Sequence, residues 1–183
     1  MFSKQDRQTL KTLAKQSIEY GLQHGCPIPI DLTGLANTLK PHRATFVTLE
    51  KNGKLRGCIG MLEAVHPLAM DVAANSYAAA FTDSRFKPVN KTEIDELDIH
   101  LSILSPTELI ICLSEEELIK QLRPKIDGLV LEDGYHRATF LPSVWDSLTE
   151  PVDFVKQLKL KAGLSADYWS EGLYAYRYTS ESF

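Results

Sequence analysis

Apolar residues recur every three or four positions from Leu10 through Leu13, Ala14 and Ile18 to Leu22. That period predicts an amphipathic helix, capped by Ser3, with Asp6 and Arg7 in its first turn and Gly21 and Gly25 bringing it to an end. Cys26-Pro27-Ile28-Pro29-Ile30-Asp31 cannot be helical and reads as an extended connector in which Cys26 is a small buried or tolerated surface residue. From Arg43 the period falls to two, so Ala44 to Glu50 reads as a strand, and Asn52-Gly53 is the strongest short signal for a hairpin. The return arm is Leu55-Arg56-Gly57-Cys58-Ile59-Gly60. With Lys51 facing Lys54, the register pairs Leu49 with Arg56, Val47 with Cys58 and Thr45 with Gly60. The other face then pairs Phe46 with Ile59, Thr48 with Gly57 and Glu50 with Leu55. Arg56 and Cys58 would share a face, with Phe46 and Ile59 as the core pair.

His66-Pro67 predicts the start of a second, alanine-rich helix running to about Phe81. A loop follows, Thr82-Asp83-Ser84-Arg85-Phe86-Lys87-Pro88. Leu97 to Leu104 alternates, with Leu97, Ile99, Leu101 and Ile103 on one face and Asp98, His100 and Ser102 on the other, as in a half-buried strand. Ile110-Ile111-Cys112-Leu113 is a short apolar run, and Ser114 with Glu117 forms a capping box for a helix to about Leu122, which accounts for the acidic triplet through the helix dipole. A second hairpin spans Gly128 to Leu141, turning at Asp133-Gly134. Short helices follow around Val144, Trp145 and Leu148, and from a Thr149 cap to Gly163. Leu173 to Thr179 reads as a final strand with Tyr174, Tyr176 and Tyr178 on one face, a stripe that packs a sheet or stacks bases. The whole is an α+β fold: a mainly antiparallel sheet built from hairpins with flanking helices. It predicts one domain over residues 1–183, with a helical part to about residue 40, the sheet and helices over 41–183, and room for a small subdomain.

Composition narrows the function classes. The chain has 183 residues, 44% hydrophobic and 24% charged, which is ordinary for a globular domain with a real core. A net charge of -4 argues against a dominant non-specific nucleic-acid footprint. The polar start, without a signal segment or membrane-length apolar run, predicts a soluble cytoplasmic protein. Cys26, Cys58 and Cys112 are widely spaced with no C-x-x-C pair, which suits reduced thiols. No His, Cys or carboxylate group has metal-ligand spacing, so neither a metal nor a cofactor is expected.

Candidate chemistry gathers on the hexapeptide and the loop after the second helix. Glycine weakens a strand interior and marks a bulge or a close approach of backbone or ligand, so Gly57 and Gly60 around a thiol point to a site. Arg56 and Arg85 offer forked cations for carboxylate or phosphate, and Phe86 offers a flat apolar surface. In the plainer reading of the loop, Asp83 ties down its backbone, Arg85 pairs with it and Phe86 plugs the core.

These stretches resemble the AMMECR family, named after the Alport syndrome, midface hypoplasia and elliptocytosis chromosomal region. The resemblance rests on the hexapeptide and on Phe46-Val47-Thr48-Leu49, Asp83-Ser84-Arg85-Phe86, Leu101-Ser102-Ile103-Leu104-Ser105, Ala138-Thr139-Phe140-Leu141-Pro142 and Lys161-Ala162-Gly163-Leu164. It implies an α+β fold with a small subdomain and, in prokaryotes, a place in the three-part AmmeMemoRadiSam system with Memo-type and radical SAM partner proteins. It also suggests RNA or nucleotide metabolism.

Three readings follow from the residues and the resemblance. As an enzyme or enzyme component acting on a small anionic substrate, nucleotide-like or phosphorylated, the chain would use Cys58 as nucleophile and Asp83 to orient or accept a proton. Arg56 and Arg85 would hold the anion and lower the thiol pKa. As a non-catalytic nucleotide, RNA or regulatory binding module, it would use the same arginines, with Gly57 and Gly60 admitting close backbone approach. As a partner protein, it would dock on a radical SAM enzyme.

Overall fold

In the computed structural model, which describes residues 1–183, the chain divides into two compact units, residues 1–104 with 181–183 and residues 105–180. Each has its own four-stranded sheet and its own apolar core, so the α+β class holds with the strands shared between two sheets. No helix is long and apolar enough to cross a membrane.

The first unit opens with α1 (Lys4–His24), where the Ser3 hydroxyl accepts from the Asp6 amide and the Asp6 carboxylate accepts from the Ser3 amide. Gly25, at φ 67°, closes the helix. Gly21, expected to help end it, instead lies inside α1, where a side chain would collide with the rings of Tyr77 and Phe81. Those rings belong to α2 (Leu68–Phe81). Strands β1 (Thr45–Lys51), β2 (Lys54–Gly60) and β3 (Leu97–Leu104) join the C-terminal β8 (Ser180–Ser182) in the order β2-β1-β3-β8.

The hairpin turn forms as expected, with Asn52 and Gly53 both at positive φ, but its register does not persist. Lys51 faces Lys54 and Glu50 faces Leu55; then Arg56 is skipped, and Leu49 faces Gly57, Thr48 faces Cys58, Val47 faces Ile59 and Phe46 faces Gly60. The cause is packing. Leu49 is fully buried and α2 lies close behind β2, so that a Cβ at position 57 would overlap the Ala79 carbonyl oxygen. Only glycine fits opposite Leu49, and a β-bulge at Arg56 puts it there. Val47 and Ile59 are therefore the core pair, and Phe46 lies on the other face with its ring over Gly60.

The second unit contains β4 (Glu108–Ile110), α3 (Glu115–Gln121), β5 (Gly128–Asp133), β6 (His136–Phe140), α4 (Pro151–Lys161) and β7 (Tyr174–Tyr178), with sheet order β4-β7-β5-β6. Asp133 pairs with His136, so Gly134-Tyr135 makes the turn, one residue later than the expected Asp133-Gly134. Helix α4 is preceded by Glu150 with Pro151 leading it, and the Thr149 cap is not formed. Its Phe154 stacks on Trp145 with ring centroids 3.8 Å apart, and the Trp145 Nε1–H donates to the Asp127 carbonyl at 2.7 Å. The tyrosines alternate along β7 as expected, although β8 follows it, so β7 is not the last strand. Tyr178 is buried and its hydroxyl meets Thr139 at 2.7 Å; burial pushes its pKa up to about 12.

Candidate functional site

The candidate residues lie in the first unit, around the edge strand β2. Thr45, Val47 and Leu49 of β1 are buried beneath the helices, so Phe46, Thr48 and Glu50, which are half-buried, define the outer face of this sheet. Thr48 stands between two partners, Cys58 on β2 and His100 on β3. The Cys58 thiol is half-buried and its Sγ lies 3.4 Å from the Thr48 hydroxyl.

The Thr48–Cys58 pairing leaves the Cys58 amide and carbonyl pointing away from β1, toward the open edge of the sheet. The loop after α2 satisfies both. The Cys58 N–H donates to Asp83 Oδ2 at 2.9 Å, and Arg85 Nη2–H donates to the Cys58 carbonyl at 3.2 Å. Asp83 and Arg85 form a fork between themselves, Arg85 Nε to Oδ1 at 2.9 Å and Nη2 to Oδ2 at 2.7 Å, and the Arg85 amide also donates to Oδ1 at 3.1 Å. These bonds to Arg85, with the Cys58 amide, hold the Asp83 carboxyl well below the usual carboxylate range despite its burial. The Arg85 side chain remains 55% exposed, and its guanidinium lies over the Phe86 ring at 5.5 Å.

Arg56 is differently placed. The bulge directs it to Glu93, with Nε donating to Oε1 at 3.0 Å and Nη2 to Oε2 at 3.1 Å. Lys51 reaches the same carboxylate at 3.6 Å, and the Asn90 amide donates to it at 3.1 Å. The Arg56 bonds, first among these, bring the Glu93 pKa down to about 2. Arg56 Nη1 is buried without a hydrogen-bond partner. The structure thus brings Cys58, Asp83, Arg85 and Phe86 together and pairs Arg56 elsewhere, correcting the expectation that the register sets Arg56 beside Cys58 on one face. Gly57 and Gly60 are each filled by the protein, against Ala79 and Phe46 respectively.

Sequence reasoning missed Thr48, Glu93 and a buried polar knot beneath the sheet. Glu93 was findable, because Asn90 with Glu93 three residues later is a capping-box pattern, and the reciprocal bonds form. In the knot, Asp71 of α2 accepts from the Thr45 hydroxyl at 2.6 Å and the Asn75 amide at 2.9 Å. Burial raises the Asp71 pKa. No cluster of three or more His, Cys, Asp or Glu side chains could hold a metal ion. Chemically, the outer face offers a half-buried thiol, a hydroxyl and the Phe46 ring, and the loop at its β2 edge adds a pre-aimed guanidinium over the Phe86 ring. Both arginines are paired with carboxylates, Arg56 with Glu93 and Arg85 with Asp83.

Comparison with known proteins places this arrangement in a family. A protein of Methanothermobacter thermautotrophicus is 34% identical over 189 residues, covering 99% of this chain and 95% of that protein. One from Thermotoga maritima is 36% identical over 172 residues, covering 91% of each. The crystal structure of an uncharacterized protein from Pyrococcus horikoshii superposes with a TM-score of 0.86 at 31% identity, covering 95% of this chain and 88% of that one. The AMMECR1 family profile matches residues 11–183, which include β2 and the Asp83–Arg85 loop, and the chain belongs to the AMMECR1 family.

Proposed function

We propose that the chain binds a small anionic ligand, nucleotide-like or phosphorylated, on the outer face of the first sheet beside Cys58. The observation that supports this is the state of Arg85: its guanidinium is fixed by two bonds to Asp83, yet the side chain is half-exposed and its Nη1 makes no hydrogen bond. A cation already immobilised loses little entropy when it meets phosphate. Phe86 beneath it and Phe46 across Gly60 supply flat apolar surface, and Thr48 and Cys58 line the floor between. Asp83 acts as a positioning residue here, because a carboxylate so firmly ionised is a poor proton acceptor at neutral pH. Binding is favoured over nucleophilic catalysis by Cys58, since the partner of its Sγ is the Thr48 hydroxyl and not a base. In the three-part system that the resemblance implies, such a component would hold a ligand for the radical SAM and Memo-type partners.

The test is titration calorimetry with inorganic phosphate, nucleoside mono-, di- and triphosphates and sugar phosphates, alongside the rate at which iodoacetamide alkylates Cys58. Binding should slow alkylation of Cys58 and leave exposed Cys26 unaffected. Arg85→Gln should weaken binding by about tenfold or more. If none of these compounds binds, or if binding survives Arg85→Gln unchanged, the proposal fails. Alkylation of Cys58 much faster than Cys26, with loss of an activity on the bound compound, would instead favour the catalytic reading.

A further inference from the structure

We propose that the anion ends in a phosphate monoester seated at the open edge of β2, with one oxygen on the free Nη1 of Arg85 and another on the backbone N–H of Gly60. This rests on anion binding by Arg85 and adds to it a second donor and the class of anion that the two donors select.

Because β2 is the outermost strand of its sheet, every second residue turns its amide and carbonyl away from β1. The Met61 amide donates inward to the Thr45 carbonyl at 3.3 Å, and Gly60 stands opposite Phe46 as Cys58 stands opposite Thr48. Gly60 and Cys58 therefore face outward together. The loop after α2 satisfies Cys58 through both Asp83 and Arg85, but nothing in the chain accepts from the Gly60 amide. Phe46 occupies the space that a side chain at position 60 would need, so glycine makes no room for a ligand there. What it leaves is a half-buried N–H without an acceptor, a group that folded chains rarely leave unpaired.

Two donors thus adjoin along one edge. The Gly60 amide lies about 7 Å along the strand from the Cys58 amide, at a rise of ~3.4 Å per residue, and the Cys58 carbonyl that accepts from Arg85 Nη2 lies between them. The Nε–Nη2 edge of the guanidinium, the one that suits a planar carboxylate, already carries Asp83. What remains is Nη1 and an amide from a different direction, an arrangement fitted to tetrahedral oxygens. Asp83 balances the charge of Arg85, and exposed Lys87 in the same loop, paired with no carboxylate, leaves the loop positive for the anion. The remainder of the ligand then lies over Cys58 and Thr48 on the outer face.

The test is an NMR titration of the isotope-labelled full chain with inorganic phosphate, a nucleoside monophosphate and acetate, following the Gly60 amide. At least one of the phosphates should move the Gly60 amide proton downfield and slow its exchange with solvent, and acetate should bind at least about tenfold more weakly. Arg85→Gln should raise the dissociation constant of that phosphate about tenfold and reduce the Gly60 shift in step. Binding that depends on Arg85 yet leaves the Gly60 amide unmoved keeps the anion on the outer face and overturns its seat at the edge. Acetate bound as tightly as phosphate overturns the choice of a tetrahedral anion. If neither phosphate binds, anion binding by Arg85 fails and the edge seat fails with it.

Discussion

A methyl group at position 57 would overlap the Ala79 carbonyl oxygen, and one at position 60 would overlap Phe46 and the Thr45 carbonyl. Gly57→Ala is therefore expected to destabilise the protein by about 3 kcal/mol in urea titration, since the obstacle is helix backbone and cannot swing aside. A glycine kept only to admit a ligand would lose binding on this substitution and keep its stability, so an unchanged midpoint would show the packing argument to be wrong. The carboxylates make a second prediction. Glu93 is held at about 2 in the folded chain, below its unfolded value, so its contribution is present above the ordinary glutamate range and is lost as pH falls toward 2. Asp83 behaves with the same sign. Asp71 has the opposite sign: its raised pKa favours the folded state below the ordinary aspartate range, and that advantage disappears as pH rises through its folded value. Glu93→Gln should lower stability at pH 7 by about 2 kcal/mol and flatten the acid limb of the stability–pH curve. Asp71→Asn should do no harm at pH 7 and remove the opposing slope. Denaturant midpoints from pH 2 to pH 8 decide both, and a Glu93→Gln curve parallel to the wild type counts against the assignment.

Among the elements, α3 and α4 show how a charged residue can serve a core. Lys159 of α4 is fully buried, and its ammonium donates to Glu115 of α3 at 2.7 Å and to the Tyr168 carbonyl at 3.2 Å. Lys159→Ala leaves a cavity and is expected to cost about 3 kcal/mol, whereas Lys159→Met, which keeps the stem volume and removes the charge, should cost far less. Trp145 and Trp169 both lie in the second unit, so tryptophan fluorescence follows its unfolding directly. Equal losses in the two variants would mean that the ion pair, and not the filled volume, carries the stability. Nothing in a pattern of apolar positions marks Lys159 as internal, because a lysine four residues before a terminating glycine-leucine pair reads as an exposed last turn. The strands were more legible. The alternation in β3 and β7 and the Asn52-Gly53 turn follow from local geometry, which the chain carries with it. The bulge at Arg56 was not legible, because it depends on how close α2 comes to β2, a distance set by residues more than twenty positions away.

Over the whole molecule, the second unit begins at Ser105, where the Leu97 to Leu104 strand ends, and the last three residues rejoin the first unit. Association with radical SAM and Memo-type proteins stands as a proposal; co-purification of this chain with both is the expected outcome, and recovery of neither would remove it. The candidate site divides in the same way as the fold. Sequence alone determined the α+β class, the two hairpins and the Ser3, Gly25 and Ser114 helix caps, since period and turn chemistry are properties of adjacent residues, while the nearness of Asp83 and Arg85 to Cys58 came with the family resemblance. Tertiary structure alone decided that Arg56 turns to Glu93, that Asp83 and Arg85 close the edge of β2 on the Cys58 backbone, and that both hexapeptide glycines are filled by the protein itself. The physical reason is that register and side-chain partnership are settled by steric fit and hydrogen-bond satisfaction between segments far apart in the chain, which no local pattern records.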